Sequence, residues 1–148
     1  MIALRRCTTE DNPVLHELVS SYHVEDRVPH DASLLDRILV PLLDGTAGRI
    51  WFIEADDAPV GYVALCYGYS IEFGGRDAFV DEIYVAPAHR GRGIGATALH
   101  LLDVEARTLG VRAIHLEVDH GNPAARLYER VGFSSRDRYR LMSKPLAP

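Results

Sequence analysis

The sequence predicts an α/β fold built on one mixed central sheet, antiparallel at its start and parallel between its fourth and fifth strands, with helices on both faces. Three observations predict it. Three strand-like runs follow one another through short turns, the pattern of antiparallel neighbours. A long helical pattern then joins the last of these runs to another strand, which implies a parallel crossover. The length of 148 residues suits one core, so residues 1–148 are read as a single domain.

Residues 2–7 form the first strand. Thr8 or Thr9 caps a helix that runs to about Tyr22, with Val14, Leu15, Leu18 and Val19 on its apolar side. Residues 24–31 are polar, contain Pro29 and read as a loop. A second helix spans 32–43, with Leu34, Leu35, Ile38 and Leu42 spaced for one face. Residues 49–55 and 60–71 pair as a hairpin through the turn at 56–59. A second turn at 74–77 leads into a fourth strand at 78–85. The helix at 93–109 places Ile94, Ala98, Leu101, Leu102, Ala106 and Leu109 in one stripe, and Gly110 ends it. Residues 113–118 form the fifth strand. Asn122 and Pro123 open a short helix that Gly132 stops. Residues 133–144 are expected to return as one or two closing strands.

The composition is 47% hydrophobic and 25% charged, with a net charge of −5. That balance argues against a nucleic-acid or anionic-membrane partner and fits a protein that attracts cations. No apolar run approaches the roughly 20 residues of a membrane helix, and no signal peptide opens the chain, so a cytoplasmic location is expected. Cys7 and Cys66 both sit in apolar runs and read as buried small hydrophobes. The seven histidines show no metal spacing, and no metal is expected. His16, His23 and His30, seven apart, carry no assignment. Asp119-His120 reads as a solvated loop.

The densest chemical signal is Arg90-Gly91-Arg92-Gly93-Ile94-Gly95-Ala96, between the fourth strand and the long helix. Glycines at alternate positions let backbone N–H groups converge, and the helix behind adds its positive end. This is an anion site, and phosphate is its usual occupant. A dinucleotide fingerprint also fits Gly93 to Ala98, with Glu117 or Asp119 downstream. That fingerprint should follow its strand directly, whereas residues 86–92 intervene here. No Gly-Lys-Ser/Thr follows, which excludes a P-loop. A second chemical signal is Asp81-Glu82, which interrupts an apolar strand. Consecutive strand residues face opposite sides, so one carboxylate at most points into a given crevice.

Asp81-Glu82-Ile83-Tyr84-Val85-x-Pro87 followed by Arg90-x-x-Gly93-x-Gly95 resembles the acyl-CoA-binding motif of the GCN5-related N-acetyltransferases. The run from Asn122 to Phe133, with Tyr128 inside it, resembles a second motif of that family. The agreement covers residues 78–133. The resemblance implies an N-acetyltransferase that moves acetyl from acetyl-CoA, its co-substrate, to a primary amine by direct attack. It implies that N–H groups of Gly91, Arg92, Gly93, Gly95 and Ala96 hold the pyrophosphate, with the Arg90 and Arg92 side chains facing it. Main-chain groups of Ile83 and Val85 would pair with the pantetheine arm. Asn122 would join them, in competition with its capping role. Tyr128 would protonate the departing thiolate, and Glu82 or Asp81 would take the amine proton, with Glu82 put first.

The run Tyr67 to Phe73 resembles the polyamine and histone acetyltransferase branch. With Glu25, Asp26, Tyr69 and Glu72 it is read as an acidic, aromatic entry for a small cationic amine. A peptide or protein amine stays as the competing acceptor. A non-catalytic CoA-binding or regulatory domain is the alternative from another class, and Tyr128 and both acids disfavour it. Homodimer formation is left open, with residues 133–146 as a candidate edge.

Overall fold

The structure is a computed structural model that describes residues 1–147. Its contacts divide the chain into two compact units, Met1–Glu117 and the segment from Val118 onward. The first unit contains strands β1 (Ile2–Arg6), β2 (Gly48–Ala55), β3 (Ala58–Ser70), β4 (Gly75–Val85) and β5 (Ile114–His115). Its α-helices are α1 (Asn12–Glu25), α2 (Leu35–Leu43) and α3 (Ile94–Thr108). The strands form one sheet in the order β1-β2-β3-β4-β5. The first three pairings are antiparallel and β4–β5 is parallel, as the sequence predicts. Among the described residues no helix is long and apolar enough to cross a membrane.

Each face of the sheet has its own apolar layer. Leu15 and Val19 of α1 and Leu35, Leu39 and Leu43 of α2 pack with Ile50, Phe52, Tyr62, Ala64 and Tyr84. Ile94 and Ala98 of α3 pack with Ile53 and Val60 in a separate cluster. The strand period of two sends alternate residues of β2 to the two layers, which is why Ile50 and Phe52 part from Ile53. The turn between β2 and β3 is tighter than expected. Asp56 and Asp57 both have positive φ, 51° and 64°, which matches a type I′ hairpin.

Several boundaries differ from the sequence reading. Helix α1 continues past Tyr22, so Glu25 is its last residue and Asp26 its C-cap rather than loop residues. The buried face of α2 is Leu35, Leu39 and Leu43, while Ile38 is exposed. Leucine or isoleucine occupies both candidate stripes of this helix, so spacing alone does not separate them. The β3–β4 turn lies at residues 71–74, and Gly75 to Asp77 already belong to β4.

Strand β5 is only two residues long, paired at Ala78↔Ile114 and Phe79↔His115. There His115 Nε2 lies 3.0 Å from Asp77 Oδ2, and its ring packs against Phe73 and Phe79. Two residues further along β4, the β3–β4 register slips. Leu65 opposes Val80 and Ala64 opposes Glu82, so Asp81 is the extra residue of a β-bulge. A bulge bends its strand, and the β4–β5 pairing has stopped before it.

In the second unit, α4 (Ala124–Arg130) is the one regular element among the described residues. Pro123 rather than Asn122 is the N-cap, and Asn122, one position earlier, accepts from the Ala124 N–H through Oδ1 at 2.9 Å. The closing strands expected at 133–144 are not present. Arginines alternate there with Asp137 and Tyr139, and the Tyr139 ring is stacked by Arg136 and Arg138 rather than set into a core.

Candidate active site

The bulge gives Asp81 and Glu82 different surroundings. Asp81 is exposed. The Glu82 side chain is 19% exposed and sits on the layer of α1 and α2. Its Oε1 accepts from the Tyr62 hydroxyl at 3.0 Å, and its Oε2 lies 2.5 Å from His23 Nε2. Burial pushes the Glu82 carboxyl above its ordinary range, and the bonds to His23 and Tyr62 partly offset that rise. Tyr62 is fully buried between β2 and β4, and burial beside Glu82 holds its phenol far above its usual value. It is therefore a permanent O–H donor.

His23 is fixed in turn. Its ring contacts Tyr22, and its Nδ1 lies 3.0 Å from Nδ1 of His30, in the loop after α1. His30 Nε2 lies 3.1 Å from the Ser20 hydroxyl, back on α1. Tyr22 packs against Tyr62 and Tyr84 and completes an aromatic wall around the carboxylate. His23, His30 and Tyr62 carried no assignment in the sequence reading. A signal was present: Leu15, Val19, Tyr22 and His23 lie at i, i+4, i+7 and i+8, which puts the histidine on the apolar face of α1.

Among the described residues, the outer edge of β4 beyond Phe79 has no strand partner in the sheet. The chain leaves β4 through a 3₁₀ turn at Pro87–His89 and enters the glycine-rich loop. Gly91 and Gly93 have φ of 74° and 76°, a region that disfavours side chains. A Cβ at either would meet nothing within 4 Å. Gly93 is the N-cap of α3, and the first backbone bond of that helix runs from Thr97 N–H to Gly93 O. The N–H groups of Ile94, Gly95 and Ala96 precede it and have no partner within the helix.

Arg90 is committed within the protein. Its Nε donates to Val85 O at 2.7 Å, and its two terminal nitrogens bind both oxygens of Glu25 at 2.7 and 2.9 Å. That uses three of its five N–H donors. The bidentate pair holds the Glu25 carboxylate below its usual range and ties the end of α1 to the loop after β4. Arg92 is exposed.

The remaining candidates are dispersed along β3. Tyr69 opposes Arg76 near the hairpin tip, five positions beyond Ala64, which opposes Glu82. That spacing corresponds to about 16 Å along the strand. Tyr69 is 81% exposed and Glu72 lies in the turn beyond it. In the second unit, burial raises the Tyr128 phenol above its ordinary value. Cys7 and Cys66 are free thiols pushed up to about 12 and about 11 by burial, so neither is a ready nucleophile at neutral pH.

Residues 12–133 match the model of the acetyltransferase (GNAT) family. Over 98% of its length the chain is 28% identical to the uncharacterised N-acetyltransferase YycN of Bacillus subtilis, covering 99% of that protein. A streptothricin acetyltransferase of Streptomyces lavendulae is 34% identical over 55% of this chain and 42% of its own. Among solved structures, an integron cassette protein from the mobile metagenome of Cole Harbour salt marsh superposes with a TM-score of 0.86. It is 35% identical, over 98% of this chain and 91% of that one. A predicted acetyltransferase of Clostridium acetobutylicum, solved with acetyl-CoA, shares the fold at a TM-score of 0.76 and 20% identity, over 97% and 96% of the two chains. The mixed sheet with its parallel β4–β5 pair is thus the GNAT fold, and the chain belongs to the GNAT acetyltransferase family and is an N-acetyltransferase.

Proposed function

We propose that the protein transfers acetyl from acetyl-CoA to the primary amine of a small cationic acceptor by direct attack, with Glu82 as base and Tyr128 as acid. The observation that carries this reading is the Glu82 carboxylate. It is shielded, held by two neighbours, and lies on the part of β4 beyond its short pairing with β5.

The residues present fit the co-substrate. The open space over Gly91 and Gly93 and the N–H groups that begin α3 suit a pyrophosphate. The edge of β4 beyond Phe79, with Ile83 and Val85, suits an extended amide-bearing arm, whose polar groups need partners once desolvated, although Arg90 already donates to the Val85 carbonyl. Asn122 uses its oxygen on the Ala124 N–H, which leaves the amide nitrogen for a cofactor oxygen. When bound, acetyl-CoA supplies the activated acetyl group and the thiolate leaving group.

A primary alkylammonium in water titrates near pH ~10.4, so the acceptor must lose a proton before it attacks. Glu82 accepts that proton, and its raised affinity for protons narrows the gap to be crossed. Main-chain N–H groups of β4 polarise the carbonyl under attack. Tyr128, protonated at every working pH, donates to the thiolate. This role for Tyr128 rests on the family resemblance.

The acidic composition and the adjacent Asp81 and Glu82 support a cationic acceptor. Glu25 contributes less, because Arg90 already neutralises it. Only a long polyamine would span from Glu82 to Tyr69 and Glu72. The test measures thiol release with diamines and polyamines of increasing length against monoamines of matched length, at low and high salt. A polycation advantage that shrinks with salt is expected. Preference for neutral or acidic amines refutes the acceptor class, and unchanged turnover in Glu82→Gln refutes the base.

A further inference from the structure

Four side chains outside the glycine loop form one chain of hydrogen-bond contacts that ends on Glu82. Ser20 Oγ lies 3.1 Å from His30 Nε2, His30 Nδ1 lies 3.0 Å from His23 Nδ1, and His23 Nε2 lies 2.5 Å from Glu82 Oε2. We propose that His23 and His30 act in series as positioning residues for Glu82, His23 aiming the carboxylate and His30 fixing the tautomer of His23. This rests on the reading of Glu82 as the base.

Hydrogen counting sets the direction of the chain. Each contact holds one hydrogen. An ionised Glu82 only accepts, so His23 donates through Nε2–H, as Tyr62 does through its hydroxyl. A neutral His23 then has a bare Nδ1, which must accept from His30 Nδ1–H. His30 in turn has a bare Nε2, which accepts from the Ser20 hydroxyl. Every donor points toward the carboxylate, and every atom in the series is satisfied without a second charge. The arrangement follows the logic of a base oriented by a third group.

The same counting limits the protons the pair tolerates. One added at His30 Nε2 is accommodated, because the Ser20 hydroxyl rotates to accept. A second, on His23 Nδ1, would set two N–H groups against each other at 3.0 Å and break the contact. The charged and titratable groups around the series are few. Asp81 neighbours Glu82 on β4, Tyr62 faces it from β3, and Tyr22 packs on His23 from α1. Asp31 lies beside His30, its carboxylate held below the usual range by the Ser33 hydroxyl and N–H. His23 and His30 also line a surface hollow with Pro29, Asp31, Leu34 and Ile38.

Nuclear magnetic resonance of the full chain tests this without any turnover. Imidazole nitrogen shifts should show hydrogen on Nε2 of His23 and on Nδ1 of His30. The Glu82 carboxyl carbon should titrate about one pH unit or more higher in His23→Phe, which removes its donor. His30→Phe should raise it by less, and the double variant should match His23→Phe alone. His23→Gln is the second probe. Its amide still reaches Glu82 but offers nothing to His30, so adding His30→Phe to it should have no effect. A bare Nδ1 on His30, an unchanged midpoint in His23→Phe, or the same His30→Phe shift with and without His23→Gln overturns the proposal. Unchanged turnover in Glu82→Gln alongside the expected nitrogen pattern would instead overturn the base and leave the coupling standing.

Discussion

Tyr62→Phe isolates one bond to the proposed base. The ring stays in its place between Tyr22 and Tyr84, with centroids 6.5 and 6.2 Å away, and one oxygen is lost. That oxygen donates to Glu82 Oε1 at 3.0 Å. A hydrogen bond to a charged group contributes about 1.5–3 kcal/mol. Because the Glu82 side chain keeps 19% exposure, water replaces part of it, and the lower end applies. At about 1.36 kcal/mol per unit, the Glu82 midpoint should rise by about one unit. The acid limb of the kcat/KM profile should move up with it, giving roughly tenfold less activity on that limb and an unchanged alkaline plateau. Stability has its own sign. Burial already raises Glu82 in the folded state, and the variant raises it further. Ionising it in the fold then costs more at neutral pH, whereas below its ordinary value of 4.5 both states hold the proton. The variant should therefore be destabilised at pH 7 and close to wild type in mild acid. Urea melts at both pH values and a pH–rate series with one amine check this. A uniform drop in rate with no shift of the limb would show that the hydroxyl only packs.

Gly93→Glu should abolish the thermal stabilisation given by acetyl-CoA, worth about 2.7 kcal/mol at 100 times Kd. It puts a side chain and a negative charge into the open space at a φ of 76°. An equal melting shift in the variant would sink the pyrophosphate assignment. Tyr128→Phe should lower kcat by roughly 10²–10⁴ with acetyl-CoA binding unchanged, and full turnover would reduce Tyr128 to packing. Arg90→Ala should cost at most about 1 kcal/mol, since both partners of its pair are over 40% exposed. That contribution should be present above the ordinary carboxylate value and fade as pH falls through the lowered Glu25 value. Loss of several kcal/mol in urea melts of the variant would refute this.

Secondary structure was legible where one period dominated. The alternation in β2 and the capping residues around α4 fixed those elements almost to the residue. Helix α2 was not placed correctly in its layer, because apolar residues at 34, 38 and 42 compete with those at 35, 39 and 43. Its buried face depends on where the sheet lies. The closing strands expected at 133–144 did not form, because a strand needs a ladder partner, and the arginines there stack on Tyr139 instead. Pairing is a property of two segments, and one segment read alone does not contain it.

The site divides along the same line. The glycine loop announces itself because backbone geometry near φ +75° demands a local residue type. Glu82 was visible as an acid in an apolar strand, yet its two supports lie 59 and 20 residues away in sequence. The packing of α1 on the sheet brings His23 to it, and the β3–β4 pairing brings Tyr62. The bulge at Asp81 is equally non-local, since it exists only in the register against Leu65 and Ala64. That single extra residue accounts for two features at once. It lets adjacent acids take unequal surroundings, Asp81 in solvent and Glu82 among aromatics, and it bends β4 just beyond its last contact with β5. Deleting Asp81 to restore regular pairing there should disturb the base and the open strand edge together, which ties the two halves of the proposed chemistry to one irregularity of the sheet.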